Sequence, residues 1–282
     1  MANLILAYPN RSDDAVLSGG VWQIPLVRLQ TRILADVARS ADLDPAHTRV
    51  DVALERERPV MLVTLVRHTL TRMATYRLSA GSAAGQTDLY DSGWREVWPT
   101  IYPQSTLSWD SPSWWDGRIS EEDRAGYPAN LVHVMEAGVF ARYWRLELSD
   151  PSNPAGYVEA GRLYIAEQWR PIVNCNWGYT LGWEDKTGVE ETLDGVEYFD
   201  ERPRYRVARF QLAHMDTDEA YGQAFELQRR QGISGEVFLL TDPADAMHRI
   251  RHGFLGRVRQ MSPIEATSNQ RHGSTFEIKE IV

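Results

Sequence analysis

The chain has 282 residues, 43% hydrophobic and 24% charged, with 30 basic against 39 acidic side chains and a formal charge of −9. That composition supports a buried core and excludes a disordered tail, a collagen-like fibre or a heptad rod. The acidity disfavours nucleic acid and anionic membrane surfaces as partners, because basic groups are what neutralise their phosphates.

The length fits two domains. The opening stretch, Met1 to Pro9, has no basic segment and too short an apolar run for a signal peptide. Ser18-Gly19-Gly20 lacks a preceding strand in a βαβ context, so it reads as a loop rather than a phosphate cradle. Asp42 and Asp44 resemble the start of a calcium loop, but Pro45 follows and the remaining ligand positions are absent. Residues 49–54 and 60–66 read as two strands split by the charged turn Glu55-Arg56-Glu57-Arg58-Pro59, and a third strand is expected at 74–79. The apolar run from Val60 to Val66 has strand length, far short of the about 18 residues of a membrane span.

Residues 88–130 differ. Their aromatics sit among Pro, Ser, Asp and Gly with neither a strand nor a helix period, which predicts a long irregular excursion. Trp109, Trp114 and Trp115 are its candidate ligand-binding residues. They would form a stacking platform for a sugar, a hot spot for a protein partner, or plugs over the open edge of a sandwich. Asp110, Asp116, Glu121 and Asp123 in the same stretch are the residues a glycoside hydrolase would draw on, a reading ranked below the others because loop carboxylates are ordinarily solvated.

Regular alternation returns at 141–148, and a turn cluster at 150–156 predicts a hairpin with a strand at 157–165. A boundary is expected near Trp169-Arg170-Pro171, giving domains 1–168 and 169–282. Beyond it come a strand at 205–212 and a helix opened by Asp216, with Glu219 at the reciprocal capping-box position and Gly232 as its stop. Strands at 236–240, 256–259 and 275–279 complete the chain. The fold class is therefore mainly β: a jelly-roll β-sandwich followed by a β-rich domain with one packed helix.

Catalytic signatures are missing. There is no nucleophile elbow, Walker loop or dinucleotide fingerprint, and no enzyme activity or cofactor is expected. Among His47, His68, His133, His214, His248, His252 and His272, only His248 and His252 stand four apart, and they read as part of a short surface helix or turn rather than a metal site. Cys175, the single cysteine, reads as a small packed residue, and without a partner it leaves no intrachain disulfide.

The strands carry a resemblance. Ala141-Arg142-Tyr143-Trp144-Arg145-Leu146-Glu147-Leu148 resembles the near-terminal strand of galactose-binding-like, discoidin-type jelly rolls, and residues 48–54 and 58–66 are similar to the pair that opens that core. Together with Ala7-Tyr8-Pro9-Asn10-Arg11, 150–157 and 161–165, the ensemble resembles a tail-tip protein of long-tailed bacteriophages. The order of 204–212, a capped helix, Gly232 and 237–243 is similar to that of ring-forming distal tail proteins. The resemblance implies a structural virion component, assembled in the host cytoplasm, whose copies close a ring (a hexamer in that family) that links tail tube to hub or fibre proteins. The alternative is a carbohydrate-binding module that recognises a cell-surface glycan. A ring would continue an unpaired strand from its neighbour, with Val237, Phe238 and Leu239 as the candidate edge.

Overall fold

The computed structural model describes residues 3–282, and the fold is mainly β, with 45% strand against 11% helix. The chain divides into two compact units. One comprises residues 10–168 and 244–253; the other comprises the residues up to Pro9, 169–243 and 254–282. This differs from a continuous split at 168. The strand Ile5–Ala7 pairs with Glu236–Leu240, so the two ends of the sequence share a sheet.

In the first unit the strands Val50–His68 and Asn130–Ser149 run antiparallel along most of their length, with register shifts between Ala53 and Arg58 and between Val60 and Leu62. Val16–Ser18 joins the first half of Val50–His68, while Glu159–Ala166 joins the second half and leads on to Ala38–Ser40 and Trp22–Ile24. On the other side Asn130–Ser149 pairs with Thr75–Gly81, which pairs with Tyr90–Glu96. Leu78 and Leu163 belong to one buried cluster although two strands lie between theirs in the ladder, so a single core runs across the sheet.

Two expectations are corrected here. Residues 55–59 form no turn: Val50–His68 is a single strand, and the charged residues lie at its irregular, solvent-facing middle, where the register shifts between Ala53 and Arg58 before Pro59 pairs with Phe140. Nor do 141–148 and 157–165 pair with each other. Val50–His68 lies between them in the sheet, and the intervening turn is tied elsewhere, with Asp150 accepting from Thr71 N at 2.8 Å and Asn153 Nδ2 donating to Thr69 O at 3.0 Å.

The second unit is an antiparallel sheet in the order Gln168–Trp169, Ile5–Ala7, Glu236–Leu240, Gly253–Gln260, Arg271–Glu280, Tyr205–Met215, Thr180–Glu184, with Glu265–Ser268 beside Arg271–Glu280. Val237, Phe238 and Leu239 are fully buried in an interior strand, flanked on both sides, so they offer no open edge to a neighbour. Asp216 caps the helix at 217–231, accepting from Glu219 N at 2.7 Å. The reciprocal cap does not form, because the Glu219 carboxylate is buried and accepts instead from Trp169 Nε1 and Ile172 N, both at 3.0 Å. Residues 220–225 take a π turn, and Ala220, Ala224 and Leu227 pack into the core with Phe210 and Leu239. Gly232 ends the helix at φ 53, where a side chain would be strained. A separate hairpin, Gly188–Glu191 with Glu197–Asp200, pairs with neither large sheet.

Candidate functional site on the tryptophan-rich excursion

The excursion begins as a strand, Tyr90–Glu96, and then leaves the sheet. Trp98 fixes its departure. The indole is 6% exposed, donates to Leu70 O at 3.3 Å and packs against the His68 ring at a centroid distance of 5.7 Å. Arg124 also lies over the indole, its guanidinium 4.7 Å from the ring centre. Burial, reinforced by the Arg124 charge, lowers His68 to about 3, so the imidazole is neutral and its Nδ1 accepts from Leu70 N.

A second group of ties closes the loop on itself. Arg118 is buried and donates to Arg72 O and to the Glu96 carboxylate, while Arg72 donates to Asp116 Oδ1 at 2.8 Å. Asp116 Oδ1 also accepts from Arg118 N at 3.0 Å. Ile101 N and Tyr102 N both donate to Gly117 O at 2.9 Å. Gly117 sits at φ +62, and a Cβ there would lie 2.6 Å from Tyr102 O, so this closure requires glycine.

On this anchored loop Trp109 is 80% and Trp115 87% exposed, whereas Trp114 is half-buried, which separates it from the other two candidates. The carboxylates are in local structural use. Asp116 holds Arg72, Asp110 accepts from Ser108, Asp123 accepts from Ser120 Oγ at 2.8 Å, and Glu121 pairs with Arg124 at 3.7 Å. Nothing in the sequence marked Arg72 and Arg118 as the anchors, because their partners lie between 22 and 46 residues away.

Beneath the excursion is a cavity of about 90 Å³ lined by Tyr76, Trp98, Ile119, Leu131, Met247 and Ile250. It has room for a few waters at about 30 Å³ each and falls well short of the roughly 300 Å³ where small-molecule pockets begin. Near that cavity His133 lies between two hydroxyls, Tyr76 at 3.0 Å from Nδ1 and Tyr90 at 2.7 Å from Nε2. Burial lowers His133 to about 4 and pushes Tyr76 up to about 12, so one hydroxyl donates to a neutral ring and the other accepts from it.

Of the remaining histidines, His47 pairs with Asp42 at 2.8 Å, and His248 and His252 converge with Asp245. Cys175 is half-buried against the second core, and burial raises its thiol pKa, which keeps it protonated.

No family model matches the sequence, and no curated protein matches it. Among solved structures, it is similar to a family 32 carbohydrate-binding module of a family 31 glycoside hydrolase from Clostridium perfringens, at 7% identity and a TM-score of 0.34, covering 57% of this chain and 99% of that one. It is similar also to the lectin-binding domain of lectinolysin complexed with Lewis b (13%, 0.35, 57% and 98%) and to the family 32 module of C. perfringens NanJ in complex with galactose (12%, 0.34, 58% and 99%). At scores and identities this low, nothing about the ligand, activity or partners of this chain follows from them.

Proposed function

We propose that the chain is a non-catalytic binding protein whose first unit presents Trp109 and Trp115 to a carbohydrate. The observation that carries this reading is the exposure of two indoles, 80% and 87%, on a loop held by Arg72, Asp116, Arg118 and Gly117. Exposed aromatic area of this size is costly in water unless it is used, and a pyranose offers a C–H face that stacks on it while its hydroxyls keep contact with solvent. Because the loop is already closed, little ordering entropy opposes binding. On a glycan array followed by calorimetry, the doubly substituted chain Trp109→Ala, Trp115→Ala loses binding by at least about tenfold, the worth of about 1.4 kcal/mol. Trp177→Ala, 93% exposed in the other unit, leaves it unchanged. Silence across the array, or binding indifferent to the double substitution, overturns the reading.

A second reading, a self-associating subunit of a phage tail tip, is favoured by the hairpin of the second unit, which exposes Val189, Leu193, Val196, Tyr198 and Phe199. An isolated two-stranded hairpin with apolar side chains in water is marginal by itself and is stabilised by a partner. Light scattering that finds only monomers, alone and with isolated tail tubes, ends this reading.

A further inference from the structure

The segment 244–253 belongs to the first unit, and it carries Asp245, His248 and His252 on one short turn and helix. We infer that these three side chains form a binding site for a divalent transition-metal ion of the zinc class. Each offers one ligand atom, and the three atoms lie within 4.8 Å of one another. Asp245 Oδ2 is 2.8 Å from His248 Nδ1 and 3.8 Å from His252 Nε2. With metal bonds of about 2.0–2.2 Å, tetrahedral ligand atoms stand about 3.4 Å apart, so these two pairs sit roughly half an ångström either side of the required spacing.

The carboxylate is already aimed. Its Oδ1 accepts from His248 N at 3.0 Å, which turns Oδ2 toward the two imidazoles, the orienting role that an outer hydrogen bond plays at metal sites. The backbone beneath is fixed as well, since His252 N donates to His248 O at 3.0 Å and Ile250 packs on the core of the unit. All three side chains keep access to solvent, with exposures of 28%, 43% and 20% in chain order, so an ion can enter without unfolding. Two imidazoles and one carboxylate select zinc, cobalt or nickel over calcium and magnesium, which take oxygen ligands. Three protein ligands leave a fourth position for water or for a donor atom of a bound molecule.

The inference is independent of the carbohydrate reading. In equilibrium dialysis the intact chain takes up one Zn²⁺ at micromolar free metal and none of Ca²⁺ or Mg²⁺, and Co²⁺ in its place gives the visible bands of a tetrahedral site. His248→Ala and His252→Ala each weaken uptake by at least about tenfold, Asp245→Asn weakens it likewise, and His214→Ala, an exposed histidine of the other unit, has no effect. Far-ultraviolet circular dichroism checks that each variant keeps its fold. Failure of the wild-type chain to bind zinc overturns the assignment, as does uptake that survives loss of both His248 and His252 or falls equally with His214→Ala.

Discussion

Two regions of the molecule that expose aromatic side chains, the excursion with Trp109 and Trp115 and the hairpin with Tyr198 and Phe199, are built on opposite plans. The excursion of the first unit hangs its indoles on a framework whose ties reach other elements: Trp98 to Leu70, Arg118 to Arg72 and Glu96, Arg72 to Asp116. In the hairpin of the second unit, the ladder and the turn bonds at Thr192, Gly195 and Val196 join the two strands only to each other. Exposure is similar, but preorganisation is not. A surface that is rigid before contact suits a small ligand, which has little binding energy to spend on ordering its receptor, whereas a loosely held hairpin suits a macromolecular partner that buries enough area to order it.

The largest expected effect lies at the anchor. Trp98→Ala removes a buried indole from the core of the first unit, and a cavity of that size costs about 3–5 kcal/mol. Urea denaturation of the full chain, followed by the fluorescence of the remaining tryptophans, is expected to show an early transition belonging to the first unit. If the excursion owed nothing to this anchor, the midpoint would scarcely move and the contrast between the two regions would collapse.

Acid gives the next effect and reads the same anchor from beneath. His68 titrates near 3 in the folded unit because burial under Trp98, helped by the Arg124 charge, penalises the imidazolium, whereas in the unfolded chain it titrates near 6.5. Since the folded value is the lower one, the stabilisation is present above pH 6.5 and is lost as pH falls from 6.5 toward 3, by up to about 1.4 kcal/mol per pH unit. His133, lowered to about 4, adds a similar slope over its narrower window. Stability measured by urea midpoint between pH 7 and 4.5 therefore falls steeply in the wild-type chain, and His68→Gln removes about half of the slope. An unchanged slope in that variant would show that water reaches His68 and that the excursion is not sealed over it.

How much of this was legible in the sequence follows from which interactions are local. Alternation at 141–148, the Asp216 cap and the Gly232 stop depend on neighbours a few residues away and stand where sequence patterning places them. Glu219 shows the limit: its spacing fits a capping box, but a buried Trp169 nitrogen competes for the carboxylate and takes it. Val237 to Leu239 read as an open edge in the sequence and are not one, because Ile5–Ala7 returns from the start of the chain to pair with that strand and Gly253–Gln260 flanks its other side. Of the site, the exposed indoles were visible as composition, while the arginines that fix their loop were not, because guanidinium ties across tens of residues leave no periodic trace. His248 and His252 were visible as a pair and unremarkable until Asp245 was brought beside them by the turn.

The smallest expected effect completes the contrast and tests its other half. Excising residues 188–200 in favour of two glycines removes exposed side chains from a hairpin that pairs with neither sheet, so the loss should stay within about 0.5 kcal/mol, the range of surface changes that leave a core intact. The second core, with Phe210, Leu239 and Phe276 at its centre, contains no residue of that hairpin. Its unfolding midpoint should be unmoved, and glycan binding by the first unit should be unmoved with it. A fall of several kcal/mol would mean that the hairpin is clamped as firmly as the excursion. The distinction between a preformed small-ligand surface and a partner-ordered one would then have to be drawn from chemistry alone, from indoles on one side and a mixed Val, Leu, Tyr and Phe face on the other.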